Sequence, residues 1–136
     1  MENPFEDRRT FVGYTGIEMT EIGPDCAAGR LVITEDHHQP YGIVHGGVYC
    51  TLSETVASTG AATWAQAQGM AGAVGLTNIT NFLKATTSGT LHAVATPVHR
   101  GRTQQIWNVE ITREEDGRLV AQSQVRLQNV RDVSAF

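Results

Sequence analysis

Charge is scarce across the middle of this chain: between Asp36 and Lys84 a single formally charged side chain occurs, Glu54. Cations are scarce throughout. Lys and Arg number 10 against 14 Asp and Glu, a net charge of -4. The positive excess that phosphate neutralisation demands is missing, so no nucleic-acid partner is expected. There are two cysteines, Cys26 and Cys50, far apart and in no Cys-x-x-Cys spacing; they read as reduced thiols of a cytoplasmic protein. The acidic N-terminus, Met1 to Asp7, has no apolar run of the kind a secretory signal needs. Repeats, low-complexity tracts and linkers are lacking too, so residues 1–136 read as one domain, long enough to bury a core.

What is present is an ordinary globular composition, 40% apolar and 18% charged, with a clear order of elements. A short helix is expected before Tyr14. Ile17 to Ile22 and Ala27 to Thr34 read as strands around a Gly23-Pro24-Asp25 turn. Residues 35–42 form a polar loop in which Pro40 and Gly42 oppose a helix. A helix is predicted from Gly46 to about Gln68, stopped by Gly69 and Gly72. Its residues are small or apolar on every side, which predicts a helix wrapped by other structure. The same segment is long enough to span a bilayer, but its Thr, Ser and Gly content, its Glu54 and its lack of flanking Lys or Arg favour a buried helix and no membrane partner.

Four strand-like runs follow: Ala73 to Leu83, Thr90 to Val98, Gln105 to Arg113 and Leu119 to Val130. In the last, Leu119, Ala121, Ser123, Val125 and Leu127 alternate with Val120, Gln122, Gln124, Arg126 and Gln128, placing one face on a core. Asp116-Gly117 marks the final hairpin. The expected fold is α+β, a curved antiparallel sheet of about six strands wrapped around one long central helix.

Glu54 lies inside the apolar stretch His45 to Ser58. A carboxylate there is costly to ionise and is rarely incidental. The His45-Gly46-Gly47 entry can present bare backbone N–H groups and the positive end of a helix dipole, and glycine lets a substrate carbonyl approach closely. Carboxylate and bare N–H groups together suggest acyl transfer. Glu54 stands eight residues beyond Gly46, about 12 Å along a helix axis, too far for one small carbonyl to touch both in one chain. Ser58, four residues past Glu54, shares its face. The spacing predicts a site shared between two-fold mates.

From His38-Gln39-Pro40-Tyr41-Gly42-Ile43-Val44-His45-Gly46-Gly47 to Leu52-Ser53-Glu54, and again at Asn81-Phe82-Leu83-Lys84 and His99-Arg100-Gly101-Arg102-Thr103, the chain resembles the hotdog-fold acyl-CoA thioesterases, in particular the phenylacetate-pathway and 4-hydroxybenzoyl-CoA thioesterase branch. The resemblance implies catalytic roles for five residues. Glu54 would be the nucleophile or general base and the Gly46 N–H the oxyanion donor. Gln39 would orient the carbonyl, His45 shape the loop and Ser58 position water. It also implies a homodimer with a continuous sheet, often paired into a tetramer. Glu54 with Ser58 leans toward the hydroxybenzoyl type.

Around these, Gly47, Lys84, Arg100, Arg102 and Thr103 are candidates for binding the acyl-CoA substrate, the cations through its phosphates. Tyr41, Tyr49, Thr77 and Phe82 are candidate walls of an acyl pocket. His37, His38 and His45 match no common zinc spacing, and neither metal nor cofactor is expected beyond the coenzyme A of the substrate. Two other readings compete. A hydratase or dehydratase of acyl thioesters on the same fold would consume the conjugated bond of crotonyl-CoA. A non-catalytic acyl-CoA-binding protein would bind stoichiometrically without releasing thiol.

Overall fold

The computed structural model describes residues 9–132 and 134. Its elements run α1 (Phe11–Thr15), β1 (Glu18–Ile22), β2 (Ala27–Val32), a 3-10 turn (Glu35–His37), α2 (Gly46–Ala67), β3 (Gly72–Phe82), β4 (Thr90–Arg100), β5 (Gln104–Arg113) and β6 (Leu119–Val130). The six strands form one antiparallel sheet in the order β1-β2-β4-β5-β6-β3. Helix α2 touches all six. This is the curved sheet around one helix that the alternation in β6 and the small-residue helix predict, and the hotdog arrangement that the resemblance implies.

The core lies between α2 and the concave sheet face. Leu52 and Val56 of the helix meet Leu31, Leu91, Ile111, Val125 and Leu127, all fully buried. Each such side chain contributes about 1.5–3 kcal/mol on leaving water. Trp107 is also fully buried, and a Cβ at Gly60 would stand 2.6 Å from its ring. The ring therefore needs glycine where it crosses the helix. As predicted, Ala121, Ser123, Val125 and Leu127 face the core while Gln122, Gln124, Arg126 and Gln128 turn away from it. At the strand's start the prediction is reversed: Leu119 is exposed and Val120 buried, because the β5–β6 register shifts between Ile111 and Thr112.

The helix accommodates its threonines through one repeated device. Thr51, Thr55, Thr59 and Thr63 each donate their hydroxyl to the carbonyl four residues earlier, at 2.7–2.8 Å. A β-branched polar residue is thereby satisfied inside a packed helix. Its composition predicts a helix wrapped on every side, but one side of it is uncovered. Gly47 and Glu54 are exposed and Thr51, Ser58 and Ala62 half-buried. These recur at three- or four-residue spacing and form a stripe left open in the single chain.

Three boundaries differ from expectation for identifiable reasons. Strand β2 stops at Val32 because Thr34 caps a 3-10 turn, accepting from the Asp36 N–H while its own N–H donates to His37 Nδ1. The turn ends before Pro40 and Gly42, so those residues do not oppose it. Strand β4 continues through Pro97 to Arg100 with a bulge between Pro97 and His99. Pairing to β2 ends at Ala95, so the missing proline N–H removes no bond there.

Candidate active site

The first turn of α2 is built by His45. As N-cap it accepts the Gly47 N–H on Nδ1 at 2.8 Å, and its own N–H donates to His37 O at 2.9 Å. The neutral ring therefore carries its proton on Nε2. Of the two N–H groups expected to be bare, Gly47's is taken. Gly46 N–H donates to no group among the described residues. The ring of Phe82, at the end of β3, lies over this turn: a Cβ at Gly46 would come within 2.4 Å of it.

Gln39 sits in the preceding loop, half-buried. Its backbone closes a turn with Ile43 and Gly42, and its side-chain oxygen accepts from the Tyr41 N–H. Gln39, Gly46, Tyr49, Phe82 and Lys84 line a cavity of about 290 Å³ at the helix start. Of the proposed pocket walls, Tyr49 and Phe82 are here, their ring centroids 5.8 Å apart. Tyr41 is 91% exposed and Thr77 faces outward on β3.

Glu54 and Ser58 line a different cleft, of about 350 Å³, with Phe11, Cys50, Thr51 and Asn78. The apolar surroundings of Glu54 in sequence predict a dry carboxylate; instead it is exposed in the single chain. The reason is the open helix stripe. Glu54 rests against β3 where Gly75 precedes a bulge, and a Cβ at Gly75 would lie 3.3 Å from its carboxyl carbon. Among the described residues it forms no ion pair. The floor of the cleft is tied to the core. Asn78 Nδ2 donates to Cys50 O at 2.9 Å, Thr80 donates to Asn78 Oδ1 at 2.7 Å, and Thr80, Ser123 and Ser53 continue the chain of hydroxyls. Asn78 and Phe11 carry no local sequence signal for this site. Cys50 and Thr51 do, standing one helical turn before Glu54.

The candidate coenzyme A residues are not brought together in one chain. Lys84 is exposed beside the helix start, where its N–H donates to Val120 O. Arg100, Arg102 and Thr103 lie at the other end of the sheet, beyond the Arg100–Gln105 and Gln104–Gln128 pairs. Arg100 is engaged within the fold. It pairs with Asp25 and bonds Pro24 O, both at 2.7 Å, and stacks 5.7 Å from the Trp64 ring centroid. Arg102 is exposed, and Thr103 gives its carbonyl to the Asn129 N–H. The histidines are likewise committed: His37 Nε2 bonds Thr15 O at 2.8 Å and His38 Nε2 bonds Thr87 O at 2.7 Å. No group of three His, Cys, Asp or Glu side chains among the described residues could hold a metal ion. No described helix is long and apolar enough to cross a membrane.

Residues 41–120, more than half of the chain, match the family described as Thioesterase superfamily. The chain belongs to the thioesterase superfamily. Rv1847 of Mycobacterium tuberculosis is 46% identical over 121 residues, covering 88% of this chain and 86% of that one. The solved structure of Rv1847 superposes with a TM-score of 0.86 at 43% identity, over 90% of this chain and 97% of that chain. The 1,4-dihydroxy-2-naphthoyl-CoA hydrolase of Listeria monocytogenes is 36% identical over 101 residues, 74% of this chain and 80% of that enzyme. That of Escherichia coli is 31% identical over 114 residues, 84% and 82%. Membership of the superfamily and these relatives support thioester hydrolysis as the class of reaction; they do not select the phenylacetate or 4-hydroxybenzoyl branch.

Proposed function

We propose that this protein hydrolyses an acyl-CoA thioester to a free acid and coenzyme A, in a site shared by two copies of the chain. One observation carries the reading. Glu54 and Ser58 open onto one cleft, while Gly46 and Gln39 open onto another, about 12 Å apart along the helix. A second copy whose helix start faces the Glu54 cleft brings an unspent N–H to the carbonyl that Glu54 serves.

The chemistry then runs as follows. Glu54, as general base, takes a proton from a water held by Ser58. Hydroxide adds to the thioester carbon, and the oxygen's developing charge is met by the Gly46 N–H and Gln39 of the other copy. The carbon–sulfur bond breaks, the proton passes to the departing thiolate, and the acid and the free thiol leave. Direct attack by the Glu54 carboxylate, followed by hydrolysis of the anhydride, uses the same groups. Exposed Arg102 and Lys84, one from each end of the sheet, are the cations available to the coenzyme A phosphates. The relatives named as aryl-CoA hydrolases favour a coenzyme A thioester over other thioesters.

The test is complementation. Glu54→Ala and Gln39→Ala proteins, each inactive in thiol release, are mixed, unfolded and refolded together. Half of the random dimers then hold one intact site of two, so about a quarter of parental activity returns. No recovery, with heterodimers demonstrated, refutes the shared site.

A further inference from the structure

We propose that the cavity beneath α1 receives the acyl group of the substrate, and that it selects a neutral, apolar group of medium size. The inference rests on the thioesterase reading above and adds to it the place and class of the acyl moiety.

The cavity measures about 700 Å³, twice the Glu54 cleft, and lies within the range that encloses a drug-sized ligand. The two spaces adjoin: Phe11 and Thr51 line both. A thioester whose carbonyl stands at Glu54 therefore has a large adjoining space into which its acyl group can pass, between Phe11 and the helix at Thr51. The apolar walls of this space include Phe11, Ile17, Leu31 and Val48, with Thr15 and Thr34 among the polar ones.

Three imidazoles also border the cavity; His37 is engaged at both ring nitrogens, His38 and His45 at one each. His37 accepts from the Thr34 N–H at 2.9 Å and bonds Thr15 O at 2.8 Å. His38 bonds Thr87 O, and His45 is occupied by the Gly47 N–H. A polar acyl group laid against Phe11, Ile17, Leu31 and Val48 would lose water with no partner on that side. Asp36 on the same wall repels an anionic one. A small acyl group such as acetyl would leave the cavity unfilled and forgo the binding it offers. The His37 bond to Thr15 O also latches α1, the cavity's outer wall, to the loop that carries Gln39.

The experiment is a thiol-release panel of acetyl-, butyryl-, octanoyl-, benzoyl-, 2-naphthoyl- and succinyl-CoA. It is run on the full-length protein and on Val48→Phe and Phe11→Ala. The parent is expected to favour octanoyl or an aryl group over acetyl and succinyl; the alkyl and aryl arms tell which of the two the shape prefers. Because one methylene in an apolar pocket is worth roughly 10–200-fold in kcat/KM, Val48→Phe should cut the ratio of the favoured substrate to acetyl-CoA at least tenfold. Phe11→Ala, on an exposed short helix and so harmless to folding, should flatten the size profile. An active parent whose size profile is unchanged in both variants overturns the cavity assignment and leaves the thioesterase reading standing. A parent that favours acetyl or succinyl overturns the assignment in the same way. A parent inert toward every acyl-CoA overturns both.

Discussion

Replacing Gln105 by Leu tests whether the far end of the helix is held by polar bonds rather than by apolar packing alone. Gln105 is fully buried at the start of β5. Its amide donates to Ala61 O at 3.0 Å and to Asn129 Oδ1 at 2.7 Å, and its oxygen accepts Trp107 Nε1–H at 2.8 Å. Leucine fills a similar volume and leaves three groups behind. Ala61 O keeps its bond within the helix. The Trp107 N–H, fully buried, loses its partner at a cost of about 1–3 kcal/mol, and Asn129 Oδ1, 6% exposed, loses one at the lower end of that range. The apolar gain of leucine offsets about 1 kcal/mol. The net loss is about 2 kcal/mol, roughly 5–10 °C in melting temperature for a chain of this length.

Urea unfolding followed by tryptophan fluorescence reads the change directly. Adding Trp107→Phe removes the orphaned donor, so the double variant should be more stable than the sum of the two single changes implies, with a coupling of about 1 kcal/mol. A loss below about 0.5 kcal/mol in Gln105→Leu, or strict additivity, would refute the argument. The network has a functional reach as well. Asn129 also bonds Gly101 O and Thr103 O, fixing the hairpin that presents Arg102.

Two further outcomes follow from the charged residues. Arg102→Ala should raise KM for acyl-CoA with little change in kcat, the signature of lost uniform binding, whereas Arg100→Ala should lower thermal stability and leave KM unmoved because its guanidinium is committed to Asp25, Pro24 O and Trp64; steady-state kinetics beside thermal melts separates them. The Arg113 hydrogen bond, followed by the Arg118 N–H, holds the Asp116 carboxyl down at about 2, so its contribution is present above the ordinary carboxylate range and fades as pH falls toward 2; Asp116→Asn should be less stable than the parent at pH 6 and converge with it in acid, as urea midpoints across that range would show.

The fold was legible because its signals are periodic. Alternation in β6, the Asp116-Gly117 turn and the uncharged run of α2 each bind a segment to one geometry. The face of α2 was not. Threonine, serine, alanine and glycine give no contrast between a buried and an open stripe, so Glu54 reads as enclosed although its side of the helix is uncovered in one chain. Arg100 misleads for a similar reason. A cation beside Arg102 looks available until the β1–β2 turn brings Asp25 and the helix end brings Trp64, contacts 75 and 36 residues away in sequence. The separation of Glu54 from Gly46 was legible from helix rise alone. The cavity under α1 was not, since Phe11, Leu31 and Val48 meet only through the tertiary fold.

The open stripe and the edge of the sheet belong to one surface, and this gives the proposed assembly its sharpest test. Strand β3 pairs with β6 on one side and lies at the end of the sheet on the other. It is 11 residues long, about 36 Å, and carries Val74, Leu76 and Ile79 exposed at 37%, 45% and 64%. A long apolar edge of this kind is a template for another strand; its bulge is confined to Leu76 beside Glu54, and Thr77 to Phe82 run in regular register. A two-fold mate added at β3 would cover that stripe and carry its own helix start over the Glu54 cleft. Leu76→Lys with Ile79→Lys puts like charges along the edge while leaving the core untouched. Sedimentation equilibrium should then report a folded monomer, and thiol release should fall by at least the 10²–10³-fold that loss of an oxyanion donor costs. A monomer that still cleaves thioesters at the parental rate would mean that Glu54 finds its carbonyl and its donor within one chain.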